Sequence, residues 1–234
     1  MARLPRLALA GLPHYVVQSA VHGQAMALDD ADRQALLAAL HEATASQQVA
    51  VWGYALLPQA LHLLLCPATA DGMGRCLQRL GRRYVPAFNR RHQRSGALWA
   101  GRFRAAVVEP GPWVLAALLR IEGLGQAAHP GGEWTSAAHH LGQLRDPHLA
   151  ELPELWALGN TPFERESAWR ERLEAGLDAA TEATLARAVH GTWAAGSPGF
   201  LAEVAAAAGR PAAPRHAGRP ARRSPQQSTV SPIK

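Results

Sequence analysis

Cysteine and tyrosine are scarce in this chain of 234 residues, and a long apolar run is absent. The two cysteines, Cys66 and Cys76, have neither the spacing of a zinc site nor that of a redox motif. This excludes a disulfide framework, and we interpret both as small buried hydrophobic residues in a reducing cytoplasm. Polar residues and prolines interrupt the apolar stretch at residues 1–15, which argues against a signal peptide or a membrane-spanning helix. We therefore expect a soluble protein without a membrane partner.

Acidic residues are absent from residues 75–104, whereas this stretch contains nine arginines. They are Arg75, Arg79, Arg82, Arg83, Arg90, Arg91, Arg94, Arg102 and Arg104. A long run of one sign is the electrostatic footprint of a phosphate-binding surface. The alternative is a solvated helix face, which is more typical of charges that alternate in sign. We favour nucleic acid as the partner.

Charge also divides the rest of the chain. Residues 1–145 carry 14 arginines and 8 acids, and residues 146–208 carry 4 arginines and 10 acids. Residues 209–234 carry six positive charges and no acid, which equals the formal net charge of +6. We predict a basic domain at 1–145, an acidic helical extension at 146–208 and a disordered tail rich in Pro and Arg at 209–234.

Apolar periodicity predicts four strands and three helices within the basic domain. The strands are expected at residues 14–21, 49–57, 61–67 and 103–109, and the helices at 29–46, from Met73 onwards and at 113–122. Asp29 or Asp30 is a natural cap for the first helix, Pro86 is expected to disturb the second, and Gly123 suits the end of the third. The order β-α-β-β-α-β is ferredoxin-like. We therefore predict an α+β fold with an antiparallel sheet, helices packed on one face and one added helix.

Three segments carry a family resemblance: GLPHYVVQSAVHGQAMALDDADRQALLAAL, GYALLPQALHLLL and LGRRYVPAFNRRHQRSGALWAGRFRA. Their order and spacing resemble those of the REP-associated tyrosine transposases, which belong to the single-tyrosine HUH transposases. NRRHQRSGALWAGRF at residues 89–103 is the most specific piece, and WTSAAHHLG at 134–142 looks like a later landmark of longer members.

The resemblance implies a ferredoxin-like nuclease domain that cuts and rejoins single-stranded DNA, usually beside a small hairpin. In that family a His-hydrophobe-His motif on a strand binds a divalent metal, Mg²⁺ or Mn²⁺, and a tyrosine on a later helix attacks the scissile phosphate. Residues i and i+2 of a strand face the same way, so two imidazoles there converge on one cation. The metal orients the phosphate, and the phenol becomes the covalent link.

This chain departs from the family pattern at the positions that carry the chemistry. Ala60 stands where the first histidine is expected, and His62 matches the second. Arg120 stands at the position of the attacking tyrosine, Leu124 at that of a metal-facing asparagine, and Ser19 at that of an arginine. Arginine stays protonated and cannot act as the nucleophile, but it can hold a phosphate with two hydrogen bonds. We therefore hypothesise that Arg120 helps to hold DNA that is not cut.

Other imidazoles and phenols are candidate replacements for the missing groups. His62 itself is either a buried core histidine, which we favour, or a weak metal ligand. His14, His22 and His92 are further candidates, but nothing in the sequence places them beside His62. Tyr84 lies on the apolar stripe of the arginine-rich helix, which favours a core or base-stacking role over that of a nucleophile. No tyrosine follows it in the chain.

Aromatic residues are interleaved with the last arginines of the basic stretch. Trp99 and Phe103 lie close in sequence to Arg94, Arg102 and Arg104, a mixture suited to stacking bases and neutralising phosphates. A hairpin that buries both aromatics against the sheet explains the pattern equally well.

The sequence therefore favours a DNA-binding protein of transposase ancestry that holds single-stranded or hairpin DNA and whose cleavage chemistry is lost or impaired. One alternative is an active metal-dependent transposase with compensating residues or an intact partner subunit. Another is a protein-interaction module in which the acidic extension covers the basic face and the chain regulates an active relative by forming mixed dimers. A homodimer is the other assembly to consider. The expected location is a bacterial cytoplasm, with association with the nucleoid.

Overall fold

A five-stranded sheet forms the centre of the structure, a computed structural model that describes residues 7–214. The strands are β1 (His14–Ser19), β2 (Val49–Leu56), β3 (Ala60–Pro67), β4 (Arg104–Val108) and β5 (Ala194–Ala195). The first four are antiparallel in the order β2-β3-β1-β4, which is the ferredoxin-like order and confirms the predicted α+β fold. β5 pairs parallel to β4 and was not predicted.

Eight α-helices surround the sheet within the described residues. They are α1 (Asp30–Ser46), α2 (Gly72–Arg91), α3 (Pro112–Ala128), α4 (Ala137–His140), α5 (Pro153–Trp156), α6 (Pro162–Ala175), α7 (Ala179–Gly191) and α8 (Pro198–Ala208). Asp29 caps α1, because its carboxylate accepts the backbone N–H of Asp32 at 2.9 Å. Across residues 7–214, none of the helices has the length and the apolar character needed to cross a membrane.

Both faces of the sheet are apolar and both are covered. Val16 and Leu63 belong to the core under α1 and α2, whereas Tyr15 and Leu64 belong to the core under α3 and α7. Successive strand residues point to opposite faces, and β3 is buried along almost its whole length. Helices α1 and α2 pack on one face of the sheet, as the sequence predicted. The added helix, α3, and the extension pack on the other face.

α2 has one apolar stripe and carries arginines on its other faces. The stripe contains the residues that the spacing predicts, namely Met73, Cys76, Leu77, Leu80, Tyr84 and Phe88. The helix runs through Pro86, which is exposed. Proline removes one backbone hydrogen bond, but the apolar stripe anchors the turns on both sides of it.

α3 continues beyond Gly123, where the sequence predicted its end, to Ala128. Gly125 lies at the closest approach of α3 to its neighbours. A Cβ there would lie 2.8 Å from the Thr135 side chain and 3.0 Å from the Cβ of Ala55. This glycine therefore allows close packing and does not terminate the helix.

The acidic extension packs on the α3 side of the sheet. Trp169 of α6 is fully buried and donates its indole N–H to Glu122 of α3 at 2.8 Å. Ser136 and His140 contact the same buried carboxylate, at 2.5 and 2.6 Å. The segment around α4 and helix α6 therefore both contact the Glu122 carboxylate of α3.

Residues 209–214, which the sequence assigns to the disordered tail, pack onto β5. The N–H of Ala194 donates to the carbonyl of Ala212 at 2.7 Å, and Arg210 is buried. The rest of the predicted tail, residues 215–234, lies outside the described residues. The domain boundaries at 145 and 208 stay predictions.

Candidate nucleic-acid interface

Side chains from β1, β3 and α3 form a hydrogen-bonded chain at the positions that the family resemblance singles out. The hydroxyl of Tyr15 lies 2.7 Å from Nδ1 of His62, and Arg120 donates an N–H from Nη1 to the same hydroxyl. Because a guanidinium only donates, the Tyr15 oxygen accepts from Arg120. His62 offers the acceptor that this buried hydroxyl needs for its own proton, which assigns the proton of the neutral imidazole to Nε2. The structure thus brings His62 and Arg120 to one site through Tyr15.

Burial keeps both titratable groups of this chain neutral. Desolvation, together with the nearby charge of Arg120, lowers the pKa of His62 to about 4. Desolvation also raises the pKa of Tyr15 to about 12, although the guanidinium of Arg120 opposes the shift. At neutral pH the site therefore contains an imidazole, a phenol and one fixed positive charge.

Arg120 has a second partner, in the acidic extension. Its Nε and Nη2 each lie 2.9 Å from Oε1 of Glu182 on α7. All three guanidinium nitrogens are thus engaged, and the Arg120 side chain is only 12% exposed. This geometry makes Arg120 a residue that joins α3 to α7, and leaves it poorly placed for the bidentate phosphate contact expected from the sequence.

The donor atoms at this site do not fit the divalent metal implied by the family resemblance. Ala60 offers only a methyl group, Nδ1 of His62 is occupied by Tyr15, and the guanidinium of Arg120 repels a second cation. Within residues 7–214, no three or more His, Cys, Asp or Glu side chains lie close enough together to hold a metal ion. Leu124 is half-buried on α3 and contributes no ligand.

The candidate replacement histidines lie elsewhere. His14 is buried and its Nδ1 lies 2.8 Å from the carbonyl of Leu12. His92 contacts Asp32 at 2.8 Å, and His22 is exposed in a turn after β1. The structure therefore does not bring these imidazoles to His62.

A basic cavity of about 850 Å³ opens beside His62. Its charged and titratable lining is basic, with no Asp or Glu among the described lining residues: His62, Arg102, Arg104, Arg120, Arg187 and His190. The side chains come from both sides of the predicted boundary at residue 145. Arg104 lies on β4, and Arg187 and His190 lie on α7. The cavity presents the charge and the donors that an anionic ligand requires.

Several arginines of the predicted DNA-binding set have acidic partners within the protein. Arg79 and Arg83 both contact Glu42 of α1, at 3.2 and 2.9 Å, and Arg75 contacts Asp71 at 2.5 Å. These three arginines remain more than half exposed. Exposed ion pairs of this kind contribute little stability, so a phosphate can compete for the guanidinium.

The remaining arginines of the set differ in their contacts. Arg91 binds both Asp29 and Asp32, and Arg94 donates to the amide oxygen of Gln24. Arg104 donates to the carbonyl of His190. By contrast, Arg82, Arg90 and Arg102 are exposed and have neither an ion pair nor a side-chain hydrogen bond within residues 7–214.

A second opening, the α2 groove, lies between α2 and residues 97–103 and has a volume of about 890 Å³. Trp99 lines it and is half-buried, whereas Phe103 is buried in the core under α2. Gln18 and Arg102 line both the groove and the basic cavity. Among the described lining residues of the groove, none comes from 146–208, because the extension packs on the other face of the sheet.

All three tyrosines of the chain are buried and hydrogen-bonded. Tyr54 donates to Asp146 at 3.1 Å and Tyr84 donates to the carbonyl of Met26 at 2.7 Å, while Tyr15 contacts His62. Their exposed fractions are 7%, 2% and 0%, and desolvation raises the pKa of each phenol. In this conformation no phenol has access to a phosphate.

Sequence reasoning missed four residues of the site: Tyr15, Glu182, Arg187 and His190. Tyr15 lies on β1, where the alternation of the strand predicts a buried side chain but not its polar contacts. The other three lie on α7, far along the chain from β3. Their periodicity predicts a helix and carries no signal for the face of the sheet on which that helix packs.

No family model and no curated protein matches the sequence of this chain. Among solved structures, that of a REP-associated tyrosine transposase bound to a REP hairpin is similar, with 12% identity and a TM-score of 0.52 over 66% of this chain and 93% of the other. A putative transposase from Deinococcus radiodurans has 18% identity and a TM-score of 0.36 over 47% of this chain and 88% of its own. The chain has the fold of the REP-associated tyrosine transposase, which agrees with the sequence motifs.

Proposed function

We propose that this protein binds single-stranded or hairpin DNA through the basic cavity and the arginines of α2, and that it does not cut DNA through a tyrosine. The observation that carries the proposal is the basic cavity, in which four arginines and two histidines meet without a carboxylate among the described lining residues. Phosphates are the anions that such a concentration of guanidinium groups binds best.

Arg102, Arg104 and Arg187 are the phosphate contacts in this proposal. Their side chains are exposed and line the cavity, and each lacks a carboxylate partner within the described residues. Arg120 acts as a positioning residue, because Tyr15 and Glu182 engage its guanidinium. The Nε2–H of His62 adds a neutral donor at the same cavity.

The state of the three phenols supports the absence of tyrosine chemistry. A tyrosine nucleophile must reach the phosphate and lose its proton, whereas each phenol here is buried with a raised pKa. The donor set beside His62 also does not suit a divalent cation. Both observations favour binding over the active-enzyme alternative.

The fold comparison motivates the choice of DNA ligand. A protein of the same fold has been solved with a REP hairpin bound. We therefore choose a DNA hairpin with a single-stranded extension as the first probe.

Fluorescence anisotropy with this labelled probe, in buffer containing EDTA, tests the proposal. We expect the Arg102→Gln, Arg104→Gln double variant to bind about tenfold more weakly, with a salt dependence reduced by roughly 0.7 per lost phosphate contact. Arg170→Gln is the matched control, because Arg170 is exposed on α6 and lines neither the cavity nor the groove. Equal affinity of the double variant and the control, or no binding by the unmodified protein, would contradict the proposal.

A further inference from the structure

The α2 groove combines an apolar floor with a charged rim, on which Arg82 and Arg102 accompany the Arg75–Asp71 ion pair. Leu77 and Leu98 are buried side chains of its lining, and Val85 is half-buried. Arg82 and Arg102 are exposed at the same opening. A nucleobase has apolar faces and is attached to an anionic backbone, so it matches both parts of this lining.

Trp99 is held in a fixed position at the side of the groove. Its backbone forms an antiparallel bridge with Ala20, directly after β1. The indole stacks on Tyr84 with ring centroids 6.0 Å apart. It also lies against Gly81 of α2, where a Cβ would approach the indole Nε1 to 2.8 Å. Glycine weakens a helix relative to alanine, and here it makes room for the indole.

The groove adjoins the basic cavity. Gln18 and Arg102 line both openings, and the amide of Gln18 donates to the carbonyl of Gly101 at 3.3 Å, which fixes the wall between them. A DNA strand that leaves the cavity therefore passes Arg102 before it reaches Trp99. Arg82 and Arg102 form no ion pair within residues 7–214, so both are available to the phosphates of that strand.

We propose that the α2 groove takes an unpaired nucleobase, which stacks on Trp99 while its flanking phosphates contact Arg82 and Arg102. This inference rests on the proposed function. It adds that the protein binds the unpaired bases of single-stranded DNA as well as the sugar-phosphate backbone. Stacking of a base on an aromatic side chain tolerates any base, so the groove selects unpaired over paired DNA and not one sequence over another.

Two single strands of equal length and charge test this proposal in EDTA: one of thymidine nucleotides, and one in which every nucleoside is replaced by an abasic analogue. We expect the unmodified protein to bind the thymidine strand about tenfold more tightly than the abasic strand. Trp99→Leu is expected to remove this difference and to leave the affinity for the abasic strand unchanged. Trp99→Phe, which keeps an aromatic ring, is expected to retain most of it.

Trp156→Leu is the matched control, because Trp156 is exposed on α5 and lies outside the groove. Circular dichroism and the urea midpoint establish that each variant is folded, and the abasic strand reports whether its phosphate contacts are intact. Equal binding of both strands by the unmodified protein, or a retained preference in a folded Trp99→Leu variant, would overturn the inference while the proposed function stands. No binding of either strand would overturn the inference, and the hairpin probe then decides separately whether the proposed function stands.

Discussion

At the scale of single residues, the site is defined by the neutral state of His62. Burial disfavours the charged ring and is the main reason for its lowered pKa, and the positive charge of Arg120 adds repulsion, while Nδ1 is engaged by Tyr15. Arg120 and Tyr15 therefore stabilise an imidazole that is poorly suited to bind a cation. Ala60, at the position expected for the first histidine, offers no second ligand, which acts in the same direction.

The buried neutral state of His62 predicts a dependence of stability on pH. Its pKa is about 4 in the folded protein, against 6.5 for an ordinary histidine, so the unfolded state binds the proton first as the pH falls. The free energy of unfolding should therefore be constant above about pH 6.5 and decrease towards pH 4, by up to about 1.4 kcal/mol per pH unit for this one group. Urea denaturation across this pH range measures the decrease.

His62→Gln is expected to reduce this pH dependence, because the amide cannot take up a proton. His14 and His41, whose pKa values burial also lowers to about 4, should keep part of the slope. His22→Gln, at an exposed position, is the control for the exchange of histidine for glutamine. A slope in His62→Gln equal to that of the unmodified protein would contradict the buried neutral histidine.

At the scale of secondary-structure elements, α2 carries arginines of two kinds. Arg91, in its last turn, joins α2 to the first turn of α1 through Asp29 and Asp32. Arg82 lies in the middle of the helix, is exposed and has no acidic partner among residues 7–214. The same residue type thus serves packing at the end of the helix and is available for a ligand at its centre.

This division predicts opposite effects of two substitutions. Arg82→Gln should weaken DNA binding severalfold and leave the urea midpoint unchanged, because it removes a phosphate contact and no internal one. Arg91→Gln should lower the urea midpoint, since Asp32 is buried and loses a charged partner, and should affect DNA binding less. Anisotropy and urea titrations of both variants measure the two effects. The reverse pattern would show that the ion pairs do not determine which arginines bind DNA.

Pro86 gives a separate prediction for the stability of α2. It lies inside the helix on the exposed side, so it removes a backbone hydrogen bond without a compensating buried contact. Pro86→Ala should raise the free energy of unfolding by about 1–3 kcal/mol. Ala87→Gly, at the adjacent exposed position, should lower it by about 1 kcal/mol. A decrease in stability of Pro86→Ala would mean that the proline fits a distortion that the helix requires.

The elements of the ferredoxin-like unit could be predicted from the sequence because their signals are local. Strand alternation, the Asp29 cap and the apolar stripe of α2 all depend on neighbours within a few positions. β5 could not be predicted, since it has two residues and depends on pairing with β4. The predicted end of α3 at Gly123 was wrong: the helix continues to Ala128, and its last turns approach Ala55 and Thr135 at Gly125, which no local pattern signals.

The candidate site was predictable only in part for the same reason. The family motif singled out His62 and Arg120, and the structure places both at the basic cavity. The contact between Arg120 and Glu182 joins positions that are 62 residues apart, and no periodicity signals it. The sequence also shows how many arginines α2 carries, but not which of them contact the acids of α1.

At the scale of the whole molecule, the acidic extension completes the site and leaves α2 uncovered. Helix α7 contributes Arg187 and His190 to the basic cavity, and Glu182 fixes Arg120. Pro214, the last described residue, also lines this cavity. Pro214 therefore lies beside the proposed path of the DNA.

This placement predicts a contribution of the tail to DNA binding. Residues 215–234 contain no acid and five basic residues, namely Arg215, Arg219, Arg222, Arg223 and Lys234. A chain that ends at Pro214 should bind the hairpin probe more weakly at low salt and show a shallower dependence of log affinity on log salt. A full-length variant with the five basic residues changed to Gln separates charge from length. Salt titrations by anisotropy that give equal slopes for all three proteins would exclude this role.

The central claim is that a protein with this transposase fold binds DNA without cutting it through a tyrosine. One experiment tests this claim most directly. Purified protein is incubated with the labelled hairpin and its single-stranded extension, in Mn²⁺ or in EDTA, and one gel shows cleavage, covalent adduct and retarded complex. The account predicts a retarded complex in both conditions, without cleavage or adduct. Cleavage or an adduct that depends on Mn²⁺ would contradict it, and would mean that the chain compensates for Ala60 and Arg120.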